Sequence, residues 1–332
     1  MSDILMESPV FIVGASRSGT TLLRLMLNAH SHLALPQELK YFNSFPHLDW
    51  PNWRRPQLRE EQYRRFVRHF LERRQHIFDS VGIRDLDRQI LDSHSRDLRE
   101  PYRVAVEAWA SHFGKQRWGE KTPHNLYYVD ILHDMFPNAR FIQIVRDPRA
   151  VVASMNNSVY FPGDTAFNAL NWLQAVTVGY ELVRNTVPES QLLTLRYEDI
   201  VADPAGCLQA TCGFIGERFE PAMLDFHRDS SRYMGTVIRT ETVTQPVSSV
   251  HADKWKETLS RPDIVLVESI CRSEMTRFNY EPTGASLPAS AMMNKAIKSA
   301  YWKWKTRGRR AQRGQTVQYP MFARMQRWLA QT

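Results

Sequence analysis

Pro9-Val-Phe-Ile-Val-Gly-Ala-Ser-Arg-Ser-Gly-Thr-Thr-Leu-Leu23 is an apolar strand that runs into a Gly/Ser/Thr loop and opens a helix. Gly14 and Gly19 free this turn of side-chain bulk, so the N–H groups of the loop and of the helix N-terminus can converge on one anion. The spacing follows the nucleotide-phosphate pattern G-x-x-x-x-G-K-[ST] at both glycines, but Thr20 stands where that pattern has the lysine that reaches β/γ-phosphates. A loop that lacks this lysine and carries Arg17 suits a nucleotide with one phosphate-like group at its 5′ end better than a triphosphate. Helix capping alone would account for Ser and Thr here, though not for two glycines and an arginine behind a buried strand.

The order strand, loop, helix recurs along the chain. Apolar strands are predicted at Val10–Val13, Phe141–Val145 and Leu192–Leu195. Helical spacing covers Thr20–Ala29, Gln62–Gln75, Tyr102–Phe113, Asn125–Met135, Ala150–Asn156, Ala166–Asn185 and Asp263–Arg272. The alternation predicts an α/β fold, a three-layer α/β/α sandwich with a central parallel sheet and a P-loop-like phosphate-binding loop. Residues 46–99, rich in Arg, Asp and Trp and broken by Pro51 and Pro56, read as a helical insertion over the carboxyl edge of the sheet rather than a core element. Ligands bind at that edge, so Trp50, Trp53, Tyr63, Phe66 and Phe70 are expected to shape an acceptor pocket.

Charge separates the chain into two parts. Residues 1–285 form the expected domain, and after the break at Pro282–Ala291 a basic aromatic tail, 286–332, has no acidic residue. The tail holds ten of the 43 Lys and Arg, leaving 33 against 35 Asp and Glu in the body. Lys and Arg interleaved with Tyr301, Trp302, Trp304, Phe322 and Trp328 over 295–329 resemble an interfacial membrane anchor, a nucleic-acid arm or a helix that docks on a partner. The slightly acidic body argues against a nucleic-acid partner. Cys207, Cys212 and Cys271 form no metal-ligand cluster and leave an odd thiol, which predicts neither a metal nor a disulfide framework. Asp3 and Glu7 replace a basic leader region, and no apolar run reaches the ~18 residues that span a bilayer. The expectation is a cytoplasmic protein whose tail could meet the inner face of a membrane.

A second anion site is written in Phe141-Ile-Gln-Ile-Val-Arg-Asp-Pro-Arg-Ala-Val-Val-Ala-Ser154. Arg146 ends a strand, Pro148 opens a helix, and Ser154 lies two turns on, so the arginine fork and the hydroxyl can share one anion. With both sites, the chain resembles the sulfotransferases that use 3′-phosphoadenosine-5′-phosphosulfate (PAPS), and most of all their tyrosylprotein and bacterial carbohydrate or lipid branches, over residues 9–256. The resemblance implies that Arg17, Ser18, Gly19, Thr20 and Thr21 hold the 5′-phosphosulfate, that Arg146 and Ser154 hold the 3′-phosphate, and that Tyr197, Lys254 and Trp255 lie by the nucleotide. It also implies Glu38 as general base, Lys121 at the sulfuryl oxygens and Thr240 in place of a supporting serine. Ser158 stands where the tyrosylprotein branch has a further arginine.

Chemistry supports these roles. Sulfuryl transfer to a hydroxyl needs the proton removed and the charge on the bridging oxygen offset; cationic side chains can do the latter without the magnesium that phosphoryl transfer uses. The apolar run Leu33–Pro36 is expected to desolvate Glu38 and raise its pKa from about 4.3. His124 is the second candidate for the base, Glu38 could instead pair with Lys40, and Lys121 with Glu120; His30 and His32 read as structural. A P-loop small-molecule kinase is the main rival, but it needs the loop lysine and a magnesium-binding carboxylate where the second strand ends in Arg146.

Overall fold

Alternation along β1 (Val10–Gly14) sets the layers. Phe11 and Val13 point into one apolar cluster, Val10 and Ile12 into another, as the two-residue side-chain period of a strand requires. Phe141 and Val145 against Ile142 and Ile144 repeat the division along β4 (Arg140–Val145). The computed structural model describes residues 8–45, 48, 50–54, 58–93, 95–229 and 245–286. With β2 (Leu33–Ala34), β3 (Arg117–Lys121) and β5 (Leu192–Arg196), these strands form one parallel sheet in the order β2-β3-β1-β4-β5. The chain leaves β1 for β2 and β3 on one side and reaches β4 and β5 on the other. The carboxyl end of β1 is therefore the switch point at which open parallel sheets take their ligands.

One face of the sheet is covered by α1 (Thr20–Asn28), whose Leu22, Leu23, Met26 and Leu27 meet the Val10 and Ile12 side. Later helices, α7 (Tyr197–Ala202) and α8 (Pro204–Ile215), join α1 on that face. The opposite face is packed by α2 (Glu60–Asp79), α3 (Glu100–His112), α4 (Val129–Met135), α6 (Thr165–Thr186) and α9 (Arg261–Arg277). Between β4 and α6 lies α5 (Pro148–Asn156), capped by the Asp147 carboxylate accepting from the Arg149 N–H at 2.8 Å. The three-layer parallel architecture expected from the sequence is the one observed. Among the described residues no helix is long and apolar enough to cross a membrane.

Three departures have physical causes. The helix expected over Asn125–Met135 begins only at Val129, behind a 3-10 turn over Pro123–Tyr128; the Asn125 N–H bonds the Thr122 carbonyl three residues back, while its side chain is drawn to Glu120. Strand β3 was not expected, because Arg117, Glu120 and Lys121 interrupt it, yet every residue in it is buried. The 46–99 segment is not merely a cover. Trp50, Trp53, Tyr63, Phe66 and Phe70 are buried in the same cluster as Phe11 and Trp118, and the Phe70 ring packs edge-on to Tyr41 with centroids 5.0 Å apart. The aromatic faces expected in an acceptor pocket are spent on the core.

If α2 is core, Phe70→Ala lowers stability by about 3–5 kcal/mol, read as a loss in urea midpoint with unchanged slope. A loss below ~1 kcal/mol would mark the helix as a loosely attached lid.

Candidate active site

The turn after β1 is built on two positions that reject a side chain. Gly14 (φ 151°) has the Ile144 carbonyl of β4 where a Cβ would stand, and Gly19 (φ 92°) has the Tyr197 ring there. Between them Arg17 takes a left-handed φ of 71° although it carries a Cβ. Such strain costs of order 1–3 kcal/mol and persists where the surroundings fix it. The conformation sends the Arg17 guanidinium out of the turn, and its Nε donates to Ser154 Oγ on α5 at 2.9 Å. Ser18 is fully buried, and its hydroxyl has no hydrogen-bond partner among the described residues.

Arg146 stands against this turn. Its Nη1 donates to the Arg17 carbonyl at 3.2 Å and its Nη2 to the His251 carbonyl at 2.6 Å, while the guanidinium carbon lies 4.1 Å from the centre of the Tyr197 ring. Its buried Nε has no partner among the described residues. The Arg146 carbonyl accepts from Trp172 Nε1 of α6 at 2.9 Å, which ties the junction of β4 and α5 to α6. Burial, and then the neighbouring Arg146 charge, lower the pKa of Arg17. Two guanidinium groups thus face one region beside a glycine turn and a helix N-terminus, an arrangement that favours an anion between them.

Glu38 follows β2 and meets Lys121 at the end of β3. Lys121 Nζ donates to Glu38 Oε1 at 2.6 Å and to Thr21 Oγ1 at 3.2 Å, joining the carboxylate to the glycine turn. Lys40 lies on the other oxygen, 3.4 Å from Oε2. The backbone leading to Glu38 is pinned by Asn28 of α1, whose amide side chain accepts from the Leu35 N–H at 2.9 Å and donates to the Leu35 carbonyl at 2.8 Å. The expected rise in the pKa of Glu38 is reversed. Burial alone would raise it, but the charges and hydrogen bonds of Lys121 and Lys40 bring it down to about 2. Lys121 itself is lowered by burial, against the pull of Glu38. Its partner is Glu38 and not Glu120, because successive strand residues face opposite sides.

Of the other expected site residues, Tyr197 is buried between Gly19 and Arg146. Trp255 instead packs on Ala150, Ala153 and Leu259 and stacks on Arg149 at 4.2 Å, where Arg149 is paired with Asp147 and Glu268. Lys254 is exposed, and together with Arg146 its charge lowers the pKa of His251, after burial. His124 is half-buried near Glu38, and burial keeps its pKa below the ordinary value. Thr240 and, of the 286–332 tail, everything after residue 286 lie outside the described residues.

Among the described residues one trio could ligate a metal, His30, His32 and Glu217. Its histidines precede β2, at the end of the sheet away from Glu38, and Glu217 follows α8; its groups are already engaged: His30 Nδ1 accepts from the His32 N–H at 3.0 Å and its Nε2 meets the Arg218 carbonyl at 2.9 Å. Both histidines act as fasteners, as expected. Sequence reading missed Glu120 and Asn28 as determinants of the site; the sign of Glu120 was a carboxylate in mid-strand where burial forbids an unsatisfied charge.

The sequence profile of the Sulfotransferase family matches residues 9–221, and the chain belongs to that family. It is similar to Protein-tyrosine sulfotransferase 2 of Gallus gallus, 26% identical over 259 residues that cover 74% of this chain and 62% of that one. It also resembles Carbohydrate sulfotransferase 1 of Homo sapiens, 23% identical over 169 residues covering 46% and 41% of the two. The chain thus spans less than two thirds of the length of either. A solved sulfotransferase domain from the Curacin biosynthetic pathway shares the fold, with a TM-score of 0.57 at 22% identity over 82% of this chain and 98% of that one.

The Glu38 pair has a pH signature. Its folded pKa, about 2, lies below the ordinary 4.5, so the pair stabilises the protein fully above 4.5 and is lost as pH falls through 2. Lys121→Met removes the nearer cation and raises the Glu38 midpoint in a ¹³C NMR titration; an unmoved midpoint would show that Lys121 does not set it.

Proposed function

We propose that this chain transfers a sulfuryl group from PAPS to a hydroxyl of an acceptor, with Glu38 taking the hydroxyl proton and Lys121 offsetting charge at the transferred group. The observation that carries the reading is the Lys121 ammonium held at once by Glu38 and by Thr21, which sets a carboxylate and a cation at the mouth of a phosphate-type turn. The residues present fit the donor. Ser18 Oγ and Arg146 Nε are buried polar atoms without partners among the described residues, and such atoms are costly unless a ligand satisfies them. Arg17 and the N–H groups of the turn would hold a 5′ anion, Arg146 and Ser154 a 3′-phosphate, with Tyr197 beside them. The donor supplies a sulfuryl group activated as a mixed phosphate–sulfate anhydride.

Lys121 gives Glu38 two states. While Lys121 points at Glu38, the carboxylate is ionised and a weak base. When the ammonium turns its charge toward a transferred group, the carboxylate loses that cation, and burial raises its proton affinity where a proton must be accepted. Arg17, Lys121 and Arg146 are cations already in place for the charge that magnesium offsets in phosphoryl transfer, and a kinase finds no loop lysine here. For the acceptor, the relatives named for tyrosyl and carbohydrate substrates support a phenolic or saccharide hydroxyl.

In calorimetric titration 3′-phosphoadenosine-5′-phosphate binds without magnesium and ATP does not, and Arg146→Ala weakens that binding about 10- to 100-fold, as loss of a charge-assisted hydrogen bond implies. Glu38→Gln keeps the affinity but lowers transfer of labelled sulfate, followed by mass spectrometry in cell extract, about 100- to 10,000-fold. A preference for magnesium and ATP would restore the kinase reading, and near-normal turnover of Glu38→Gln would pass the base role to His124.

A further inference from the structure

Glu120 lies near the carboxyl end of β3, fully buried and one residue before Lys121. Four uncharged donors meet its two oxygens. Oε1 accepts from the Leu39 N–H at 3.1 Å and from Thr122 Oγ1 at 2.6 Å; Oε2 accepts from Tyr102 OH at 3.1 Å and from Asn125 Nδ2 at 2.5 Å. Thr122 Oγ1 accepts in turn from the Lys40 N–H at 3.2 Å. Two consecutive backbone amides directly after Glu38 are therefore suspended from this one carboxylate, and the second of them, Lys40, has a left-handed φ of 46°. Arg74 of α2 grips the same turn from outside, its Nε donating to the Leu39 carbonyl at 2.5 Å.

We propose that Glu120 is a positioning residue: ionised, it holds the Leu39–Lys40 peptide so that the Glu38 carboxylate faces Lys121, and protonated it releases that turn. The proposal rests on Glu38 being the base of the reaction proposed above. The Leu39 N–H and the Asn125 amide nitrogen can only donate to it, and the Thr122 and Tyr102 hydroxyls can do so as well, which suits the carboxylate. The titratable and charged groups around it are Lys121 on its own strand, Glu38 in the turn it holds, Tyr102 on α3, Arg24 on α1 and Arg74 on α2. Burial outweighs the donors from Thr122 and Leu39 and lifts the Glu120 carboxyl to about 7, which brings the release into the neutral range.

The sign distinguishes positioning from plain structural support. The folded pKa is above the ordinary 4.5, so the folded protein binds more protons than the unfolded chain between 4.5 and 7, and its stability falls as pH rises through that window. An ionised Glu120 thus costs stability. In Glu120→Gln the cost is absent, and the Asn125 amide, whose buried Oδ1 has no partner among the described residues, can turn to accept from the new amide nitrogen.

The test combines an NMR titration with kinetics on the full chain. In the wild type the Leu39 and Lys40 amide resonances follow one midpoint near 7 and in Glu120→Gln they do not titrate; this readout is independent of any reaction, so its outcome separates the positioning claim from the sulfotransferase reading. At pH 8 Glu120→Gln unfolds at a higher urea concentration than the wild type, binds 3′-phosphoadenosine-5′-phosphate unchanged, and transfers sulfate at least tenfold more slowly, with kcat flat between pH 6 and 8 where the wild type rises. Amides that do not titrate near 7 in the wild type overturn the proposal. So does a Glu120→Gln protein that is less stable at pH 8, or one that keeps the wild-type kcat profile.

Discussion

One ammonium group is shared between two parts of the chain that are far apart in sequence. Lys121 reaches Glu38 after β2 and Thr21 at the start of α1, and it can do so because β3 lies between β2 and β1 in the sheet. A buried cation must be compensated, so the fold cannot place Lys121 here without also bringing a carboxylate and a polar loop to it. The glycine turn, the switch point of the sheet and the tether of Leu35 to Asn28 all serve that meeting. The arrangement proposed for catalysis and the requirement to neutralise a buried charge are the same constraint.

Much of this was legible in the sequence because apolar strands advertise themselves. Val10–Val13, Phe141–Val145 and Leu192–Leu195 were read as strands, and each is one, lengthened by a residue at an end where the side chain no longer needs to be apolar. The glycine turn, the place of Arg146 at the end of a strand and that of Ser154 on the helix opened by Pro148 were also readable, since each has a local cause; the Arg146 guanidinium itself donates to the Arg17 and His251 carbonyls. In the fold, however, Arg17 reaches across to Ser154, so the two anion sites drawn apart from the sequence share a residue.

Readings that depend on what lies across the sheet were not available. β3 is buried inside the sheet but carries Arg117, Glu120 and Lys121; Arg117 and Lys121 are satisfied by residues about a hundred positions away, and Glu120 by Leu39 and Tyr102 as well as by its neighbours Thr122 and Asn125, and no local pattern reports the distant partners. The environment of Glu38 was inferred from its apolar neighbours in sequence, whereas Lys121, distant in sequence, decides its proton affinity. The aromatic residues of 46–99 were assigned to a pocket for the same reason: polar neighbours in sequence hid the core cluster to which α2 belongs. The site also bears local costs, a left-handed Arg17 and Lys40 and a buried Glu120, that a sequence selected for stability alone would avoid.

The account stands on a nucleotide being gripped at both ends with its terminal group turned toward Glu38 and Lys121. A crystal structure with 3′-phosphoadenosine-5′-phosphate tests this most directly. The 5′-phosphate is expected on the N–H groups of residues 17–21, and the 3′-phosphate between Arg146 and Ser154, with the Arg17–Ser154 hydrogen bond opened to admit it. A nucleotide bound elsewhere, or one that leaves that hydrogen bond intact and no phosphate beside Arg146, would contradict the account.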